Sequence, residues 1–289
     1  MAIPASETAA GPMTYVAVEQ YEPEARRLVH DPLAAQFLPS GVRAIVGLAR
    51  WGPLRSLLFG LSERATPGLW GGTICRKRYI DDRLRESLGA VDALVNLGAG
   101  FDTRAYRIPG LDATPVFEVD SPENIAAKRA RLQELYGRVP AAVRLVPIDF
   151  ERDELAAALA EHGHRAEHRT FFIWEAVTQY LSERGVRRTF AFLARAAPGS
   201  RLVFTYVRKN FIDGVELYGS PYIYERFRVR QRLWHFGMEP EQVAPFLSEY
   251  GWREVEQVGS AEYTARYVRP AGRELPVSAM ERAVYAEKG

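Results

Sequence analysis

Val95-Asn96-Leu97-Gly98-Ala99-Gly100-Phe101-Asp102-Thr103-Arg104-Ala105-Tyr106 sets an apolar run directly against two glycines that flank one small residue. An apolar run ending in such a turn reads as a strand delivering its backbone to a ligand. Without a Cβ, Gly98 and Gly100 can take positive φ and let a ligand approach the amides around Ala99. About twenty residues on, a second apolar run, Val116-Phe117-Glu118-Val119, ends in Asp120, where a carboxylate can accept the hydroxyls of a ribose. Asp120 can also cap the helix opened by Ser121-Pro122, and the two roles are compatible.

The chemistry around the turn selects among nucleoside cofactors. A dinucleotide site asks for a third glycine at the position of Thr103, where the helix must pack close with a pyrophosphate at its amino end. Asp102 adds a negative charge beside that position and repels such an anion. S-adenosylmethionine has no phosphate and carries a sulfonium and an ammonium, so carboxylates beside the turn suit it. The expected cofactor is S-adenosylmethionine and the expected reaction methyl transfer. A nicotinamide-dependent oxidoreductase and a non-catalytic cofactor-binding accessory protein are the competing classes.

Outward from this stretch the pattern alternates. Apolar runs near 92–97, 115–119, 143–148, 169–174 and 201–207 predict strands, and 121–136, 151–162 and 182–196 read as helices. Such alternation predicts a mostly parallel, Rossmann-like α/β sheet. A helix near 240–250 and strands near 253–258 and 282–287 complete it. Residues 1–90 read as a helical cap broken at Pro32, Pro39-Ser40-Gly41, Gly52-Pro53 and Thr66-Pro67-Gly68. Residues 208–238 interleave aromatic residues with arginines and read as a lid inserted over the substrate side of the 91–289 domain. Residues 261–278 give no clear pattern.

Composition narrows the function classes. The 289 residues are 47% hydrophobic, ample for a substantial core, and 38 basic residues against 36 acidic leave a net charge of +2. No global field would gather nucleic acid, so a small-molecule acceptor is expected as the partner. Cys75 is the only cysteine, which excludes an internal disulfide and suits a reducing, cytoplasmic setting. The first thirteen residues lack a basic region ahead of an apolar segment, and no later stretch is apolar for long enough to cross a membrane. Neither export nor membrane insertion is expected, nor a membrane partner, and no metal site.

Several ordered motifs resemble the leucine carboxyl methyltransferase family, including its bacterial small-molecule branch. They are His30-Asp31-Pro32-Leu33-Ala34, Arg76 five before Asp81, the 97–107 block, Phe117-Glu118-Val119-Asp120 with Pro122 and Lys128, Ile148-Asp149-Phe150, Trp174-Glu175 with Tyr180-Leu181, and Ala197-Pro198-Gly199-Ser200. The resemblance implies a class I methyltransferase, its last strand antiparallel at the sheet edge, acting on an oxygen of a natural-product-like acceptor, most simply a carboxylate, with a phenol or alcohol as the alternative.

The candidate site follows from both lines. Gly98, Ala99 and Gly100 would line the methionine part of the cofactor, with Asp120 and Ser121 at the ribose. Asp149 ends the third strand, where it can accept from the adenine amino group or cap the next helix, and Phe150 can cover the ring. Glu175, beside Ala176, ends an apolar strand and needs a partner, either a cationic ligand or a nearby arginine. By resemblance it lies at the ammonium or sulfonium end, and Arg76 grips the cofactor carboxylate. Without the motif, Arg76 would read as a solvated helix face.

Methylating a carboxylate needs no general base, since the acid is already ionised at neutral pH. Tyr180, by resemblance, and Tyr206 and Arg208, by position after the fifth strand, are the candidates for orienting the acceptor oxygen. A phenol or alcohol would need a base, and His235 is the candidate. Two positions depart from the family pattern: Glu151-Arg152 follows Asp149-Phe150 where an arginine is expected, and Glu19 and Gln20 stand where a basic residue is. His164-Arg165-Ala166-Glu167-His168 has zinc-peptidase spacing but lies in polar sequence between a helix and a strand.

Overall fold

The computed structural model describes residues 5–289, with side chains from Gly11 onward. The first four residues of the expected cap lie outside the described residues. Seven strands form one sheet: β1 (Ala93–Leu97), β2 (Val116–Asp120), β3 (Val143–Pro147), β4 (Thr170–Trp174), β5 (Arg201–Val207), β6 (Trp252–Val258) and β7 (Glu281–Lys288). Their order is β3-β2-β1-β4-β5-β7-β6. β1 to β5 pair in parallel, and β7 runs antiparallel to both neighbours.

Every residue of β1, β2 and β4 is buried, which explains their unbroken apolar runs: helices cover both faces of a parallel sheet. The antiparallel strand is present as expected but lies one place in from the edge, which β6 occupies. The polar surface of Arg253-Glu254-Glu256 suits β6 to that exposed position.

The helices divide between the two faces. On one, Leu69–Ser87, Pro122–Tyr136 and the N-terminal helices share a core with the sheet. On the other, Leu155–Glu161, Glu183–Leu193 and Pro240–Glu249 share a second core. The N-terminal helices are therefore part of the main core.

A third, smaller core fills the 208–238 insertion, built from Lys209–Ile212, Pro221–Ile223 and a π-helical stretch, Tyr224–Arg230. The unassigned 261–278 begins with a helical turn, Ser260–Tyr263, that runs into a second π-helix, Thr264–Val268. Among the described residues no helix is long and apolar enough to cross a membrane.

Local chemistry sets the helix ends that matter. The Ser121 hydroxyl accepts from the Asn124 N–H at 3.3 Å with Pro122 in the first turn, and Gly137 at φ 70° closes the helix. Ser182 caps the next helix but one in the same way, through the Gly185 N–H at 3.0 Å.

Candidate active site

β1 lies between β2 and β4, so the direction of strand succession reverses there, and the crevice beyond the strand tips is the expected ligand position. A cavity of about 550 Å³ occupies it. Gly98, Ala99, Gly100, Asp120, Ser121, Asp149, Phe150, Glu175, Ala176, Arg76 and Tyr180 all line it. Tyr206 and Arg208 do not.

The turn after β1 depends on glycine twice over. Gly98 has φ 75° and Gly100 φ 41°, and a Cβ on Gly98 would fall 2.2 Å from Val177 Cγ2. The Gly98 and Ala99 N–H groups both donate to the Val119 carbonyl, at 2.8 and 3.0 Å. Asp120 then locks the turn: its Oδ2 accepts from Gly100 N at 2.6 Å, and its Oδ1 accepts from Ser121 N at 2.7 Å and Asn124 Nδ2 at 2.8 Å. These bonds use three of the roughly four lone-pair positions of a carboxylate, leaving one on Oδ2. Helix capping and an open acceptor position thus coexist on Asp120.

Asp149 follows β3 and is half exposed. Its Oδ1 accepts from Glu151 N at 2.9 Å, and its own N–H donates to Asp153 Oδ2 at 2.8 Å. This side-chain turn postpones the next helix to Leu155. Glu151 accepts from the Ser182 N–H and hydroxyl at 2.8 and 3.0 Å, so the residue standing for the expected arginine braces another helix start. Glu19 is bound by Leu28 N at 2.8 Å and by Arg273 Nη1 at 2.5 Å. Gln20 accepts from Asp31 N at 2.9 Å, so neither lines the cavity.

Beside the Gly98–Gly100 turn lies an ionic lattice that the sequence reading missed. Glu175 accepts from Arg76 Nε at 2.8 Å, Arg104 Nη1 at 2.8 Å and Lys77 Nζ at 3.2 Å. Arg104, fully buried, also holds Asp81 at 2.7 Å and Asp102. Arg76 reaches Glu281 with Nη1 at 2.7 and 2.9 Å.

Burial alone would raise both carboxyls, but Lys77, Arg104 and Arg76 outweigh it and hold Glu175 well below the usual range. Arg104 and Lys77 do the same for Asp102. Burial leaves Glu281 raised despite Arg76. The salt-bridge reading of Glu175 and its place in the cavity wall both hold. The signal for the lattice was Arg104 inside the glycine block, read only as motif.

The remaining expectations resolve away from the cavity. Tyr206 is fully buried in the second core with its hydroxyl 2.8 Å from Gln257 Oε1. β5 alternation points it to the helix-covered face. Arg208 lies 3.5 Å from Glu239 and stacks over Tyr218, bracing the base of the insertion. His235 is exposed, and its N–H donates to the Gln179 carbonyl at 2.7 Å. His164 packs edge-on against Phe117 with its Nε2 3.1 Å from Thr170 Oγ1. No cluster of metal-ligating side chains occurs among the described residues. Cys75 is buried, and burial pushes its thiol up to about 12.

A second cavity, about 630 Å³, lies against the first, sharing Pro12, Arg76, Ala176 and Tyr180 in the common wall. Apolar side chains dominate it: Tyr15, Leu58 and Trp70 from the N-terminal helices, Phe227 and Trp234 from the insertion. Ala176, in the common wall, has φ 57°, a rare conformation for a non-glycine residue. Its N–H donates to Thr205 Oγ1 at 2.8 Å, which fixes it there.

The first cavity fits the cofactor expected from the turn. Its lining carries the carboxylates of Asp102, Asp120, Glu123, Asp149, Glu151 and Glu175 against only Arg76 and Lys77 as cations. Such a wall repels a pyrophosphate and attracts a sulfonium and an ammonium. Comparison with known proteins reaches the same point: the leucine carboxyl methyltransferase family model matches residues 9–194.

The chain belongs to the leucine carboxyl methyltransferase family. A relative of this methyltransferase in Mycobacterium avium (strain 104), provisionally named an S-adenosyl-L-methionine-dependent methyltransferase, is 31% identical over 255 residues, covering 83% of this chain and 81% of its own. Another of that name, from Mycolicibacterium paratuberculosis (strain ATCC BAA-968 / K-10), is 34% identical over 197 residues, covering 67% and 72%.

Two solved structures share the fold with a TM-score of 0.54. One is a methyltransferase, again provisionally named, from Thermobifida fusca YX (16% identity, covering 94% of this chain and 97% of that one); the other is a DUF574 protein from Streptomyces avermitilis MA-4680 (13% identity, 82% and 91%). The fold is that of class I methyltransferases, and this methyltransferase uses S-adenosylmethionine.

Proposed function

We propose that this methyltransferase methylates a carboxylate oxygen of a small, natural-product-like acid with an apolar body, in the cytosol. One observation carries the reading. The apolar cavity meets the cofactor cavity at Tyr180, and it contains Arg226, a cation with no carboxylate partner among the described residues. An acid entering that cavity finds apolar walls for its body and a guanidinium for its charge.

The cofactor supplies a methyl group on an electrophilic sulfonium. Around it, Asp120 would accept from the ribose through its open Oδ2 position, Asp149 from the adenine amino group, and Phe150 would cover the ring. Glu175 and Arg76 would face the amino-acid end, against the backbone of Gly98, Ala99 and Gly100, with Ser121 and Ala176 completing the walls. Tyr180 is kept protonated by burial, which raises its phenol. It would donate to the acceptor carboxylate and aim the free oxygen at the methyl group.

No proton need leave an ionised acid, and none of the five histidines lines either cavity. Glu281, the carboxylate nearest a base role, is held by Arg76 through both oxygens. Catalysis then reduces to positioning and exclusion of water. The test is incubation with methyl-labelled S-adenosylmethionine and paired amphipathic acids, alcohols and phenols. Alkali-labile label on the acids alone is expected, since methyl esters hydrolyse and ethers do not. Alkali-stable label on the phenols or alcohols would replace this reading with the alternative.

A further inference from the structure

Ten large hydrophobic side chains are exposed on the described surface, and five of them sit on two consecutive helices and the turn joining them, Ser40–Leu48 and Gly52–Ala65: Ile45 (56%), Leu48 (62%), Trp51 (67%), Leu57 (55%) and Leu61 (51%). Trp51 is at the turn between the helices. Ile45 and Leu61 also line the apolar cavity, so the patch is continuous with its wall. Contiguous exposed apolar surface of this kind marks an interaction site.

Charge says what kind of site. The 40–65 helices carry Arg43, Arg50, Arg55 and Arg64 against Glu63 alone, and the insertion carries Arg226, Arg228, Arg230 and Arg232 between 221 and 232 against Glu225 alone. Arg55 is paired with Glu22 and Arg230 with Glu225. The other six have no carboxylate within ion-pair distance among the described residues. These two segments thus carry eight arginines against two glutamates, one of the arginines, Arg226, in the wall of the apolar cavity, beside an exposed tryptophan. Arginines flanking exposed Trp, Leu and Ile on short helices are the chemistry of binding in the plane of an anionic bilayer: the rings and aliphatics enter the headgroup boundary and the guanidiniums meet lipid phosphates.

We propose that the two helices of residues 40–65 dock this methyltransferase on an anionic lipid surface, with the apolar cavity adjoining the bilayer so that an amphipathic acid passes from lipid into protein. The acceptor half of this inference rests on the carboxylate reading; the docking half does not. This departs from the sequence expectation of no membrane partner, which rested on the lack of an apolar segment long enough to cross a bilayer. Surface docking needs only a face, and which residues share a face is decided by folding.

The test is sedimentation of the full chain with phosphatidylcholine vesicles, with and without phosphatidylglycerol. Binding only to the phosphatidylglycerol vesicles is expected, reversed by high salt, because each arginine near an anionic surface is worth about fivefold in affinity. The Leu48→Ser/Trp51→Ser/Leu57→Ser variant is expected to bind at least about tenfold more weakly, with its circular dichroism and S-adenosylhomocysteine affinity unchanged.

Equal binding to both vesicle types, no binding, or undiminished binding by the variant overturns the proposal. So does a dimer in solution that the variant splits, which would make the patch a self-association face. Ester formation on soluble acids without vesicle binding sinks the docking inference and spares the carboxylate reading; vesicle binding without ester formation does the reverse.

Discussion

Asp120 holds the Gly100 amide, caps a helix and keeps an acceptor position open, all with one carboxylate. Replacing it by alanine is expected to weaken S-adenosylhomocysteine binding by about 1–3 kcal/mol, the scale of hydrogen bonds to a charged group. Calorimetry reads this directly, and an unchanged dissociation constant would remove Asp120 from the site. His164 makes a prediction about acid. Burial, then the neighbouring His168, lowers its pKa from 6.5 to about 4. The fold therefore favours the neutral ring while the unfolded chain takes up a proton, so this contribution to stability is full above pH 6.5 and is lost as pH falls toward 4. Thermal melts of His164→Gln should lose less stability across that window than the parent; parallel curves would refute the assignment.

Among single residues, those at strand tips were legible in the sequence because a tip is fixed locally, by where an apolar run meets a glycine or a carboxylate. Tyr206 and Arg208 follow the same tip rule, but strand alternation turns Tyr206 to the far face and Glu239 captures Arg208. Both outcomes depend on partners distant in sequence.

At the scale of elements, the β1 turn is the least forgiving. Gly98→Ala meets positive φ and a methyl group at 2.2 Å, and the two strains together are expected to cost about 2–4 kcal/mol. Urea unfolding should show the loss together with weakened cofactor binding, and a near-neutral result would mean that Val177 moves aside. The five parallel strands were readable from their apolar runs, and two helix starts from Ser121 and Ser182. What escaped was set by pairing or by competing local bonds. The rank of β7 inside β6 is a choice between long-range partners, the Asp149 and Asp153 turn delays a helix to Leu155, and the π-helices disturb the helical period that sequence reading relies on.

Across the whole molecule, the buried ions around Arg104 tie the Leu69–Ser87 helix to the tips of β1 and β4. Arg104→Leu strips a cation from three buried carboxylates, Asp81, Asp102 and Glu175. Losing one partner of a buried pair costs about 3–5 kcal/mol, a large share of a typical domain's stability. A lowered urea midpoint, or insoluble protein, is expected; an unchanged midpoint would mean that the lattice contributes no net stability. Because Asp102 and Glu175 sit below their usual values of 3.8 and 4.5, their stabilisation is present above those values and disappears as pH drops beneath them.

Arg76 stands in the wall between the two chambers and clasps one acid on each side, Glu175 in the lining of the first and Glu281 in the lining of the second. Any occupant that pulls the guanidinium its way loosens the opposite clasp. Each compound's affinity must then depend on whether the other is present, by the same factor in both directions. The occupancies of the two chambers are thereby linked through a single side chain.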